Sequence, residues 1–146
     1  MLFFIQFTDR RKRLARLQAG SFSEAFRVQG AASTTAVEAV WLRELAALLG
    51  RKKKVVLPVV SEADSVSRAW VVYRLDDKAM IQDRQFPAGF DPEKGRIPEH
   101  ESVTADGERI AEWPVRLADI ADFLRRKAGP AKATSGSPRR TAKPGA

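Results

Sequence analysis

Arg68-Ala69-Trp70-Val71-Val72-Tyr73-Arg74-Leu75-Asp76-Asp77-Lys78-Ala79-Met80-Ile81-Gln82-Asp83-Arg84-Gln85-Phe86 reads as a β-hairpin. Residues 69–75 are the densest β-branched and aromatic run in the chain, and the arm Ala79–Asp83 follows directly after turn-forming residues. Register then sorts the side chains. A two-residue turn at Asp76-Asp77 sets Tyr73 opposite Met80, Val71 opposite Gln82 and Leu75 opposite Lys78, which mixes both faces. A three-residue loop sets Leu75 opposite Ala79 and Tyr73 opposite Ile81 on an apolar face, leaving Arg68, Trp70, Arg74, Gln82 and Arg84 on the other. The second register is the expectation, with Asp77 or Lys78 accepting a left-handed conformation.

Upstream, the apolar opening Met1-Leu2-Phe3-Phe4-Ile5-Gln6-Phe7 predicts a strand; it has no basic segment before it and is too short to span a bilayer. Neither a membrane nor a secretory route is expected, which makes the cytoplasm the expected location. Asp9 is placed to cap a short helix running to Gln18, with Leu14 and Leu17 on one side and Gly20 ending it. Ser21 and Glu24 have capping-box spacing for a second short helix to Gln29, although Ala25-Phe26-Arg27-Val28 also alternates as a strand does. The clearest helix covers Ala36–Leu49, with Thr35 and Glu38 as capping box, Gly50 after it, and Val37, Trp41, Leu45 and Leu48 on one face. Lys54–Val60 is a β-branched strand whose Pro58 cannot donate to a ladder and therefore argues for an edge or a strand end. Ser61–Asp64 offers one helical turn.

Beyond Phe86 the chain loosens through Pro87, Gly89, Pro92, Gly95 and Pro98 into a long polar loop. Residues 101–105 and 108–113 flank Asp106-Gly107 and predict a second hairpin with Val103 opposite Ile110, closed by Pro114. Leu117, Ile120, Ala121 and Leu124 mark a final helix, acidic early at Asp119 and Asp122 and basic late at Arg125, Arg126 and Lys127. The fold class expected is α+β: an antiparallel β-meander packed on one face by two or three helices, within a single domain over residues 1–128. A ferredoxin-like arrangement with the first strand in the centre is the second choice. Residues 129–146 are expected to form a disordered basic tail.

The net charge is +8, from 26 basic and 18 acidic residues. Four basic residues, Lys132, Arg139, Arg140 and Lys143, lie after residue 128 with no acid, so the preceding body holds 22 against 18. Cysteine is absent and His100 is the one histidine, which excludes thiol nucleophiles, iron–sulfur clusters and ordinary zinc sites. Nor is there a Walker loop, a G-x-S-x-G or a G-x-G-x-x-G. His100, between Glu99 and Glu101, reads as a solvated loop residue, and neither enzyme activity nor a cofactor is expected.

What remains is clustering. Arg10, Arg11, Lys12, Arg13 and Arg16 form one basic group, and Arg51, Lys52, Lys53 and Lys54 another. The outer hairpin face joins Trp70 to Arg68, Arg74 and Arg84, a mixture of aromatic and cation on which bases can stack. The expectation is a protein that binds nucleic acid through these residues by counterion release and stacking. The alternative is a protein-interaction module such as an inhibitor, immunity protein or antitoxin, its cationic surface suited to an acidic protein partner.

Overall fold

The computed structural model of the chain describes residues 2–133. The element order is β1 (Phe3–Asp9), β2 (Leu14–Ala19), β3 (Phe22–Arg27), α1 (Thr34–Gly50), β4 (Lys54–Glu62), β5 (Ser65–Leu75), β6 (Lys78–Gln85), β7 (Glu112–Arg116) and α2 (Leu117–Ala133). Two antiparallel sheets, ordered β1-β2-β3 and β4-β5-β6-β7, combine with the two helices in an α+β fold. The first strand lies at the edge of its own small sheet, which is not the ferredoxin-like arrangement.

The N-terminal third corrects two expected helices into strands. Asp9 does accept a backbone bond three residues on, from the Lys12 amide at 3.0 Å, but it closes a tight reversal. Arg13 takes a left-handed φ of 60° there, which a helix forbids. Ala15, Leu17 and Ala19 then point inward in alternation, a pattern hidden in the sequence because alanine carries two of its three positions. After Gly20, at φ 63°, β3 turns Phe22, Glu24 and Phe26 to the same side, so the alternation around Phe26 outweighed the capping-box spacing.

Helix α1 forms where expected and buries Val37, Trp41, Leu45 and Leu48. Its cap is Ser33, whose hydroxyl accepts from the Ala36 amide at 3.1 Å, in place of the predicted Thr35. Trp41 donates its indole N–H to the Pro58 carbonyl at 2.8 Å, tying the helix to β4. Of the edge or strand end that Pro58 argued for, the structure has the edge: β4 is an outer strand of its sheet. Residues 61–64 form no helical turn; they close the β4–β5 hairpin, with Ala63 at φ 50°.

The two sheets are stitched where Gln29 bridges β4, its amide donating to the Val59 carbonyl at 2.8 Å and its carbonyl accepting from Ser61 at 2.9 Å. Gly30, at φ 136°, makes this approach possible, because a Cβ there would lie 2.5 Å from the Ser61 carbonyl oxygen.

The β5–β6 hairpin has the two-residue turn, with Leu75 opposite Lys78, Tyr73 opposite Met80 and Val71 opposite Gln82, and with Asp76 left-handed at φ 61°. The mixed faces are tolerated because both are covered. Trp70 and Val72 face the main core with Val55, Leu57, Ile81 and Val115, while Ala69, Val71 and Tyr73 face a second cluster with Val56 and Val66. The loop after β6 covers that second cluster through Phe86 and Ile97. It is strapped down by bonds from the Val66 amide to the Phe90 carbonyl (2.8 Å), Lys54 to the Ile97 carbonyl (3.0 Å) and Tyr73 to the Pro98 carbonyl (2.9 Å).

Residues 102–110 do form a hairpin, but with three residues in its loop. The Thr104 carbonyl accepts from Gly107 at 2.9 Å, the Thr104 amide donates to the Glu108 carbonyl at 2.8 Å, and Val103 therefore pairs with Arg109 in place of Ile110. Pro114 does not end this hairpin; it lies in the edge strand β7, opposite Met80. Helix α2 buries Ile120 and Phe123, the latter edge-on to Phe3 at 5.4 Å, and Gly129 (φ 74°) interrupts it before it resumes to Ala133. The rest of the expected tail, residues 134–146, lies outside the described residues.

Candidate partner-binding surface

The predicted stacking platform is not assembled. Trp70 is fully buried, edge-on to Phe26 at 5.6 Å, Trp113 at 6.3 Å and Phe22 at 6.4 Å. It is the centre of the core, packed under the small sheet. The shifted register also moves Arg84 to the opposite face of the sheet, because Trp70 pairs with Asp83 and Arg84 pairs with Ala69.

The remaining arginines of the hairpin have structural partners. Arg68 grips Asp83 through two nitrogens at 3.0 and 2.8 Å and reaches Glu24 of β3 at 3.5 Å. The hydrogen bond to Asp83 holds its guanidinium pKa above the usual value. Arg74 donates to the Leu48 and Leu49 carbonyls at 3.0 and 3.2 Å, capping the C-terminus of α1. Arg84 donates to the Gln82 side-chain carbonyl at 2.8 Å and lies 3.6 Å from Glu101.

Much of the basic clusters is likewise engaged. Arg10 pairs with Glu38 at 2.6 Å and covers the Phe7 ring; Arg13 donates to the Val28 and Ala32 carbonyls; Arg16 donates to the Ser23 hydroxyl at 2.7 Å. Glu38 also meets Lys127 of α2 at 3.1 Å. Burial pushes the Glu38 carboxyl up, but the bonds from Arg10 and Lys127 together outweigh it and hold the group below its usual range. Lys52 pairs with Glu44 at 3.3 Å and Lys54 with Glu99 at 2.6 Å. Arg11, Lys12, Arg51 and Lys53 are exposed on turns and do not converge on Trp70.

A cluster that sequence reasoning missed lies on the loop-covered face of the sheet. Gln82 is fully buried, donating to the Glu101 carbonyl and the Glu112 carboxylate, both at 2.9 Å. His100 Nε2 lies 2.9 Å from the same Glu112 oxygen, and its ring sits edge-on to Tyr73 at 5.2 Å. Burial raises the Glu112 carboxyl, but the bonds from Gln82 and His100 overcome it and leave the group below the ordinary range; burial raises the Tyr73 hydroxyl. His100 is thus a packed residue bonded to Glu112 in place of the solvated one expected beside Glu99 and Glu101. The one sequence signal for this cluster is the alternation of Gln82 with Ile81, which the wrong register assigned to an exposed face.

Among the described residues no group of three or more His, Cys, Asp or Glu side chains is arranged to hold a metal ion, and no helix is long and apolar enough to cross a membrane. Residues 33–123, from the α1 cap through the four-stranded sheet to α2, match the family model described as the CdiI N-terminal domain. The chain belongs to the CdiI N-terminal domain family. A chain of the CdiA-CT/CdiI toxin and immunity complex from Enterobacter cloacae has a similar fold, with a TM-score of 0.64 at 21% identity, covering 77% of this chain and 84% of that one. A comparison with curated proteins finds no match. Membership in the CdiI family overturns the expectation of a nucleic-acid-binding protein, and the buried Trp70 with the partnered Arg68 and Arg74 removes the stacking platform that was part of it.

Proposed function

We propose that this protein is an immunity protein that binds and neutralises a CdiA-CT toxin, the alternative that its composition and absent catalytic motifs left open. Its membership in the CdiI family is the observation that carries the reading; the fold shared with a chain of a toxin and immunity complex agrees with it. On this reading it acts by occupying its partner stoichiometrically in the cytoplasm, carries out no reaction of its own and requires no cofactor. The side chains with catalytic chemistry fit that role: His100 is bonded to Glu112, and Glu112 also accepts from the buried Gln82.

The experiment is to mix the purified chain with the CdiA-CT domain from the same genome and measure binding by calorimetry and light scattering. A one-to-one complex that persists at high salt is expected. Two species that migrate separately under low salt would refute the reading.

A further inference from the structure

Residues 101–109 form the longest uninterrupted exposed run among the described residues, yet they are not loose. They close on themselves through the Thr104–Gly107, Thr104–Glu108 and Ser102–Ile110 backbone bonds, with the Thr104 hydroxyl accepting from the Glu108 amide at 3.2 Å. Their base is fastened from both sides. His100 just before the hairpin meets Glu112 just after it, and Gln82, buried in β6, donates to the Glu101 backbone and to Glu112. Arg84 adds an ion pair to Glu101.

This costs the fold something. A fully buried amide side chain is placed under the sheet where an aliphatic residue would pack without any polar requirement. The stretch it holds out adds nothing to either hydrophobic cluster. Its first arm instead presents Val103, 47% exposed and one of two large apolar side chains so exposed among the described residues. Close to Val103 in the chain stand Asp106 and Glu108 against Arg109, while Glu101 at the base is paired with Arg84, which still leaves a net negative projection on a chain that is basic as a whole. Fixing a segment in its bound shape in advance removes the ordering cost of association, which is what such a foundation provides.

We propose that the hairpin of residues 101–110 is the element that enters a cation-lined cleft on the toxin, with Val103 as apolar anchor and Asp106 and Glu108 as the charges that steer and hold it. The partner surface implied is positively charged with an apolar floor, the chemistry of a cleft built for phosphates, and charge complementarity would raise the association rate. Net charge concealed this feature, because basic residues outnumber acidic ones over the body as a whole while these acids lie together on one projection. The inference rests on the toxin-binding reading.

The test compares the unaltered chain with two variants, Val103→Ser and the triple variant Val103→Ser, Asp106→Lys, Glu108→Lys, each titrated with the CdiA-CT domain from the same genome. Since the altered side chains are exposed, melting temperatures should agree. The triple variant should lose at least thirtyfold in affinity, with most of the charge effect in the association rate. Hydrogen exchange on the unaltered complex should show new protection at the amides of 102–110, a readout that needs no substitution. A loss below thirtyfold, or no new protection there while the unaltered chain binds, overturns the hairpin assignment and leaves toxin binding standing. If the unaltered chain does not bind, the toxin-binding reading fails, and the hairpin assignment falls with it.

Discussion

Replacing each of two buried tryptophans by phenylalanine should separate what the core gains from indole volume from what it gains from the indole N–H. Trp41 and Trp70 are both fully buried, so each substitution leaves a similar void, a destabilisation of roughly 2 kcal/mol given about 3–5 for complete truncation. Their nitrogens differ. Trp41 donates to the Pro58 carbonyl at 2.8 Å, and its loss strands an acceptor at a half-buried edge position, adding about 1 kcal/mol. Trp70 Nε1 is buried with no hydrogen-bond partner, so removing it relieves an unmet donor, a gain of about 1 kcal/mol. Trp41→Phe should therefore be the more destabilising by about 1–2 kcal/mol, or about 3–8 °C in melting temperature for a domain of this size. Urea unfolding followed by far-UV circular dichroism, with similar m-values for both variants, measures the difference. If Trp70→Phe costs as much as Trp41→Phe or more, the unpaired indole nitrogen is not the liability argued here.

Gly30→Ala should destabilise by more than about 2 kcal/mol, since the added Cβ meets the Ser61 carbonyl at a left-sided φ; a variant melting within 2–3 °C of the unaltered chain would show that the inter-sheet stitch is dispensable. Glu38 and Glu112 are held below their unfolded value of 4.5, so their ionised forms stabilise the fold above that pH and the contribution disappears as pH falls through the lower folded values. Melting temperature should therefore decline on acidification below about pH 4.5, and less steeply in Glu112→Gln; identical slopes would contradict the assignment. A chain beginning at Ser33 lacks the small sheet that covers Trp41 and Trp70, and it should bind hydrophobic dyes and unfold without a cooperative transition.

Strong periodicity was readable in the sequence. The stripe Val37, Trp41, Leu45 and Leu48 placed α1, the Trp70–Tyr73 run placed β5, and Pro58 argued for an edge or a strand end. What misled was local. Alanine at positions 15 and 19 erased the alternation of β2, and Asp9 can open a turn as readily as a helix. The two hairpins also exchange their expected loop lengths, two residues at Asp76-Asp77 and three at Ala105–Gly107. The first exchange had functional consequences. A rule that gathers apolar residues on one face assumes that the other meets water, and here a loop of polar composition covers it through Phe86 and Ile97. One residue of slip placed Gln82 and Arg84 on the wrong side, created a surface around Trp70 that does not exist, and concealed the network under the 101–110 hairpin.

The most direct measurement is protection of growth. Cells producing the CdiA-CT domain from the same genome should stop growing, and co-production of this chain should restore growth to the toxin-free rate, whereas a CdiA-CT domain from an unrelated system should remain lethal. Growth arrest that persists when this chain is present and folded, at levels above those of the toxin, would contradict the proposal that it is an immunity protein.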